Sequence, residues 1–371
     1  MISKKNLTKS DIKKLLNDKF FKKVFIITGK NSFFKSGANI FFKKLISDKQ
    51  TKIFFKSSSL PEINELRSII NSIKEFQPQL LIAIGGGAVM DYAKIANLKN
   101  IEKNLSQNIK RNNHQNLRIS KLIAVPTTAG SGAEVTSNAV IYINKIKYSI
   151  EGKGVLPNYF FLNYDFILSN SKKLKSSSGF DAISQAVESI ISVKSNNKSL
   201  LFAKKSLLIS TKNYIKFVKK PNKNNANLMS LAAMYSGQAI NISKTTAPHA
   251  VSYPFSALYN ISHGHAVSLT LEKFLKFNYL NINKSVCDFD LNKRYSIIFD
   301  IFKVNKIDEL VKTLKHIKTQ ANLTDNFKDL NIDIKNNYHQ ILDGINIQRL
   351  KNNPIKLEKR DIKSIILDNE N

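Results

Sequence analysis

The spacing of hydrophobic and polar positions changes near residue 165. Before it, short apolar runs alternate with helical stretches. Lys23-Val-Phe-Ile-Ile-Thr28, Lys52-Ile-Phe-Phe55, Leu80-Leu-Ile-Ala-Ile84 and Lys121-Leu-Ile-Ala-Val125 read as short buried strands. Pro61 to Phe76 and Val89 to Leu98 carry apolar residues at helical spacing. Strand, tight loop and helix in repetition predict a parallel sheet with helices on both faces. Beyond residue 165 the strand pattern stops, and 181–195, 199–218, 226–242 and 264–279 read as helices, as does most of the tail. The expected organisation is an α/β domain over 1–165 and an all-helical domain over 166–371. The boundary is expected near the lysine- and serine-rich stretch 169–178, and 219–226 reads as a polar loop between helices.

Two kinds of chemistry stand out on this frame. Gly85-Gly-Gly87 lies between a strand and a helix, where glycines let backbone approach a phosphate and the helix N-terminus favours an anion. It is neither a G-x-G-x-x-G fingerprint nor a Walker loop, and a plain tight turn fits it as well. Gly29-Lys-Asn-Ser32 ends like a Walker loop, but the glycine required upstream is Val24. In the second half, Asp181 and Gln185 are four apart in a helical pattern and share a face. His249 and His263 flank a segment, Ser252 to Ser262, that reads as turn-rich. One carboxylate and two imidazoles can hold a divalent metal and leave a position open for substrate. Histidines at helix ends satisfied by backbone carbonyls remain the alternative at this level.

Composition narrows the class. The net charge of +31 invites a nucleic-acid reading, but only six of the 58 basic residues are arginine, and lysines are spread along the whole chain. Arginine is the better phosphate and base reader, so nucleic acid is not the expected partner. Abundant Lys, Asn, Ile and Phe match A/T-rich codons. A single cysteine, Cys287, gives no internal disulfide framework. No apolar run reaches a membrane span and the N-terminal residues are charged, so a soluble cytoplasmic protein is expected.

Taken together the motifs are specific. Gly85-Gly-Gly-Ala-Val-Met-Asp-Tyr-Ala-Lys94, Pro126-Thr-Thr-Ala-Gly-Ser-Gly-Ala-Glu-Val-Thr136, Gly179-Phe-Asp-Ala-Ile-Ser-Gln-Ala-Val-Glu188, Ile261-Ser-His-Gly264 and Asn352-Asn-Pro354 occur in this order. They resemble five motifs of the iron-containing (group III) alcohol dehydrogenases, over about residues 20 to 370. The resemblance implies an N-terminal dinucleotide-binding domain and a helical C-terminal domain, with metal and nicotinamide in the cleft between them. It maps metal ligands onto Asp181, His249 and His263, for Fe2+ or Zn2+. The fourth ligand, normally histidine, falls on Gln185, a harder and weaker donor. Tyr253 replaces a histidine found in several relatives. Cofactor contacts carry over to Gly85, Gly86, Gly87, Asp91, Thr127, Thr128 and Ser131, with Lys147 as a polar neighbour and Gly29, Lys30 and Ser32 after the first strand. Gly29 lies where an acidic residue often grips the ribose of NAD, and Lys30 is adjacent, so NADPH is slightly preferred over NADH.

A narrower set, 184–195 and 239–254 with His263-Gly-His265, looks like the phosphonoacetaldehyde reductases within that family. The implied reaction is reduction of phosphonoacetaldehyde to 2-hydroxyethylphosphonate, a step of phosphonate biosynthesis. Lys244-Thr-Thr246 is the candidate cradle for the phosphonate, unless these residues merely cap helices. His265 is the candidate proton source. A general short-chain alcohol dehydrogenase, a lyase-type relative such as a dehydroquinate synthase, and a metal-free non-catalytic relative are the alternatives. A homodimer is left open.

Overall fold

The computed structural model describes residues 5–345 and 347–367. The chain divides into two compact units, Met1–Asn170 and Ser171–Asn371. The first contains strands β1 (Lys5–Asn6), β2 (Lys23–Gly29), β3 (Gln50–Lys56), β4 (Leu80–Gly85), β5 (Lys121–Pro126), β6 (Asn138–Ile143), β7 (Ile146–Glu151) and β8 (Tyr159–Phe160). Its helices are α1 (Lys9–Leu16), α2 (Lys30–Phe34), α3 (Ala38–Leu45), α4 (Ile63–Phe76), α5 (Gly87–Ala96), α6 (Leu105–Arg111) and α7 (Asp165–Leu168). Six strands pair in the order β1-β8-β5-β4-β2-β3, all parallel. β4 is buried along its whole length, as a continuous apolar run in a sheet covered on both faces must be. One layer of the core joins Val24, Ile26, Ile82 and Val125 to Phe42, Phe161 and Phe166.

The hairpin β6–β7 was not anticipated. It turns on Asn144 and Lys145, both at positive φ (50° and 64°), which a two-residue hairpin turn requires. The lysine at the second position hides the usual Asn-Gly signal.

Strand order places the useful edge. From β2 the chain goes outward to β3, then returns to β4 on the other side of β2. Ligands of such sheets bind beyond the carboxyl ends of the strands at this reversal. Thr28 pairs with Ile84, and Gly85 with Pro126, so the loops after β2, β4 and β5 leave the sheet side by side. Thr28 Oγ1 ties the first two by donating to the Ile84 carbonyl at 2.7 Å.

The second unit is helical: α8 (Lys172–Ile191), α9 (Asn197–Lys219), α10 (Lys223–Ser243), α11 (Ala247–Tyr259), α12 (His263–Ser268), α13 (Leu271–Leu280), α14 (Leu291–Phe302), α15 (Ile307–Ala321), α16 (Ile334–Asp343), α17 (Ile347–Leu350) and α18 (Lys359–Leu367). α8 is its centre, packed by α9, α10, α12 and α14 and buried on nearly every side from Lys175 onward. Residues 172–178, expected to mark the boundary, form its first turns, because Ser171 caps the helix by accepting from the Leu174 N–H at 3.2 Å.

The segment Ser252–Ser262 is corrected most. Through Tyr259 it is the body of α11, with Pro254 inside the helix. Proline removes one helical hydrogen bond. Burial of Ala247, Ala250, Val251 and Phe255 in a cluster with Ile341, Ile362 and Ile366 offsets that loss.

Candidate active site

The second unit brings Asp181, His249 and His263 together from α8, α11 and α12. One ligand atom of each lies within 4.8 Å of the other two. His249 Nε2 is 3.2 Å and His263 Nε2 4.0 Å from Asp181 Oδ1. The imidazoles meet edge to face at 5.2 Å. Asp181 and His249 are buried, whereas the His263 side chain is 36% exposed. Gly264 makes this possible. A Cβ there would overlap the Ser177 carbonyl oxygen and lie 2.8 Å from Asp181 Cβ, so only glycine lets α12 come this close to α8.

Glu188 holds the set from behind. Its side chain is fully buried and one carboxylate oxygen contacts His249 Nδ1. The other accepts from the Thr246 N–H at 2.7 Å and the Thr246 hydroxyl at 3.0 Å. A carboxylate on Nδ1 fixes the imidazole so that Nε2 faces Asp181, the arrangement that supports a ligating histidine. Burial opposes charge on His249, but Glu188 and Asp181 outweigh it and raise its pKa to about 9. One carboxylate with two imidazoles suits iron or zinc. Sequence reading passed over Glu188, although it was legible: Asp181, Gln185 and Glu188 stand at i, i+4 and i+7 on one face of α8.

Three other expected residues are placed differently. Gln185 is buried, and its carbonyl oxygen lies 3.0 Å from Ser236 Oγ on α10, which also reaches the Ala233 carbonyl at 2.9 Å. His265 follows His263 by two residues on α12 and therefore points away from it. Its Nε2 donates to the Thr324 carbonyl at 2.7 Å, and burial lowers its pKa, which keeps it neutral. In this structure it is a packed histidine turned toward Thr324. Lys244 is the C-cap of α10 at φ 63°, and the Thr246 hydroxyl that was to share an anion with it donates to Glu188. In this structure 244–246 closes α10 and opens α11, with the Thr246 hydroxyl turned to Glu188.

Asn352 and Asn353 are structural. Asn352 Nδ2 donates to the Thr245 carbonyl at 3.1 Å, and its own carbonyl accepts from the Val193 N–H at 3.1 Å. Asn353 and Asn278 exchange side-chain amide bonds at 2.9 and 3.2 Å. These bonds hold α17 beside α11. There the Arg349 guanidinium hydrogen-bonds Tyr253, whose ring stacks on His263 at 5.9 Å and 25°. No motif marked Arg349.

In the first unit, Gly86 is the N-cap of α5 and Gly87 its first residue. A Cβ on Gly86 would lie 3.4 Å from Thr128 Oγ1, and one on Gly87 3.2 Å from Ser131 Oγ. The glycine loop and the threonine-rich loop therefore touch, pinned by Thr127 N–H donating to the Gly85 carbonyl at 3.0 Å. Asp91, one turn into α5, has its pKa pushed up to about 6 by burial, with Lys94 and Lys147 pulling it down. Lys94 is itself buried, donating to Thr136 Oγ1 at 3.0 Å and the Asn138 carbonyl at 2.9 Å. Gly29 caps α2 at φ −100°, with Lys30 and Ser32 on its first turn.

Comparison with known proteins agrees with this geometry. Residues 5–164 match the family model of the iron-containing alcohol dehydrogenases, and 175–369 match that of the Fe-containing alcohol dehydrogenase C-terminal domain. The chain belongs to the iron-containing alcohol dehydrogenase family. It is an oxidoreductase of alcohols and aldehydes, in a family that binds a divalent metal and NAD(P). It is 27% identical to 4-hydroxybutyrate dehydrogenase of Clostridium kluyveri, over 84% of this chain and 86% of that protein. It is 26% identical to phosphonoacetaldehyde reductase of Streptomyces viridochromogenes, over 58% of this chain and 57% of that protein. Sulfoacetaldehyde reductase of Bifidobacterium kashiwanohense, solved with NAD+, superposes with TM-score 0.84 at 23% identity, covering 96% of this chain and 93% of that one. Among the described residues no helix is long and apolar enough to cross a membrane.

Proposed function

We propose that this protein reduces a short aldehyde carrying a terminal anion to the primary alcohol, and that phosphonoacetaldehyde, giving 2-hydroxyethylphosphonate, is the first substrate to test. The observation that carries the reaction is the convergence of Asp181, His249 and His263 on one point. Three similar proteins bear names that specify a carboxylate, a phosphonate or a sulfonate on a short chain, which supports the substrate class. When bound, the metal supplies a Lewis acid for the carbonyl oxygen and the reduced nicotinamide supplies hydride.

The residues divide that work. Asp181, His249 and His263 hold the cation, and Glu188 orients His249. Gly85, Gly86 and Gly87, at the N-terminus of α5, receive the cofactor's pyrophosphate on backbone N–H groups. Thr128 and Ser131 set hydroxyls against the same loop, with Thr127 tied to Gly85 by its N–H, and Asp91 lies one turn into α5, where Lys94 and Lys147 favour its charged form. Gly29 offers no carboxylate to a ribose and Lys30 follows it, which favours NADPH over NADH. The test is a panel of anionic and neutral aldehydes of matched length with both reduced nicotinamides, on protein of measured metal content. His263→Ala is expected to lose most of its metal and nearly all turnover. Wild-type turnover in that variant would refute the metal reading. Equal use of neutral and anionic aldehydes by the wild type would leave a general alcohol dehydrogenase.

A further inference from the structure

We propose that Arg349, held against Tyr253, is the residue that reads the terminal anion of the substrate. The assignment rests on the anionic-aldehyde reading above and adds the group that enforces it. α11 carries His249 and Tyr253 four residues apart, on one face and about 6 Å apart along the axis. That rise is on the scale of a short chain of two to four heavy-atom bonds at roughly 1.5 Å each. An aldehyde oxygen near His249 and an anion near Tyr253 therefore need only a short molecule between them.

The ring of Tyr253 is stacked on His263, and its hydroxyl is hydrogen-bonded with the Arg349 guanidinium. The cation is thus one side chain away from His263, which converges with Asp181 and His249. Its position is built in. The Asn352 N–H donates to the Arg349 carbonyl at 3.0 Å, and the Asn352 side chain is anchored on the Thr245 carbonyl just before α11. Tyr253 itself is buried. The planar fork of arginine matches the oxygens of a phosphonate, sulfonate or carboxylate better than a lysine does. With only six arginines in 371 residues, one placed here is not a by-product of the lysine-rich composition.

The experiment compares kcat/KM for phosphonoacetaldehyde, sulfoacetaldehyde and succinic semialdehyde with that for butanal. It uses metal-loaded wild type, Arg349→Met, Arg349→Lys and Lys244→Met, with calorimetric binding of 2-hydroxyethylphosphonate to each. The wild type is expected to prefer the anions. In Arg349→Met the anion-to-neutral ratio falls about ten- to hundredfold, mainly through KM, and 2-hydroxyethylphosphonate binding weakens in parallel. Arg349→Lys keeps an intermediate ratio, because charge remains and the fork is lost. If Arg349→Met does not fold, the ratio in Arg349→Lys decides, and an unchanged ratio there overturns the assignment. A wild type without anion preference refutes the substrate class itself. A wild-type preference that survives Arg349→Met, or that collapses in Lys244→Met instead, refutes Arg349 alone.

Discussion

The two candidate regions, one in each unit, are built from different material. The loops beyond β2, β4 and β5 are mostly backbone: three glycines, a helix N-terminus and short hydroxyl side chains leaning on them. The Asp181–His249–His263 set is buried side chains, each held by another, with Glu188 on His249 and Gly264 thinning the contact between α12 and α8. A backbone site keeps its shape as long as its strands and helices form. A side-chain site depends on every supporting residue, because an unpaired buried charge is costly. Changes in the first region should therefore be graded, and changes in the second steep.

The steepest change should be Gly264→Ala. The new methyl meets backbone at Ser177, which cannot swing aside, so α12 must retreat from α8. Overpacking of this kind costs roughly 1–3 kcal/mol, and metal binding should be lost with it. Denaturant unfolding and metal content on one sample check this, and a stable, metal-replete variant would break the contrast. Glu188→Gln should follow, lowering metal affinity or activity about 10–100-fold, the usual cost of losing a carboxylate behind a ligating histidine. Retained affinity would mean that His249 needs no orienting partner.

Gly29→Asp tests the gentler region. Position 29 has room, since a Cβ would meet only Ser32 Oγ at 3.6 Å, and its φ of −100° suits any residue. The fold should survive while the NADPH-to-NADH preference shifts by about tenfold toward NADH, one charge-assisted hydrogen bond's worth. Unfolding of this variant would show the loop to be less forgiving than its backbone construction implies. The smallest effect should come from Gln185→His, which places an imidazole on the Asp181 face of α8. Metal affinity should rise several-fold, measured by competition with a chelator. No change would show that position 185 belongs to Ser236 alone.

Much of this was legible in the chain. The strands of the sheet and the glycine loop announce themselves through period and punctuation, because in a parallel α/β unit local sequence and local structure coincide. Asp181, His249 and His263 were legible as residue types at suggestive spacing, and Glu188 stood in plain view on the face of α8. Helix α11 was misread, since Pro254 and its serines look like a turn until a hydrophobic cluster is built around them. β6–β7 was missed because a positive-φ lysine carries no turn signal.

The sequence by itself determined the alternating first half and the helical second half, the residues able to hold a metal and the absence of an acid at position 29. It did so because periodicity, residue chemistry and motif order are properties of the chain alone. Only the tertiary structure decided which of two histidines two residues apart faces Asp181, that Gln185 turns to Ser236, and that Arg349 stands at Tyr253. Those outcomes depend on which helix face lies against which neighbour. Residues 253 and 349 meet where Asn352 bonds to Thr245 and Val193, beside α11 and α8, and Asn353 to Asn278 on α13.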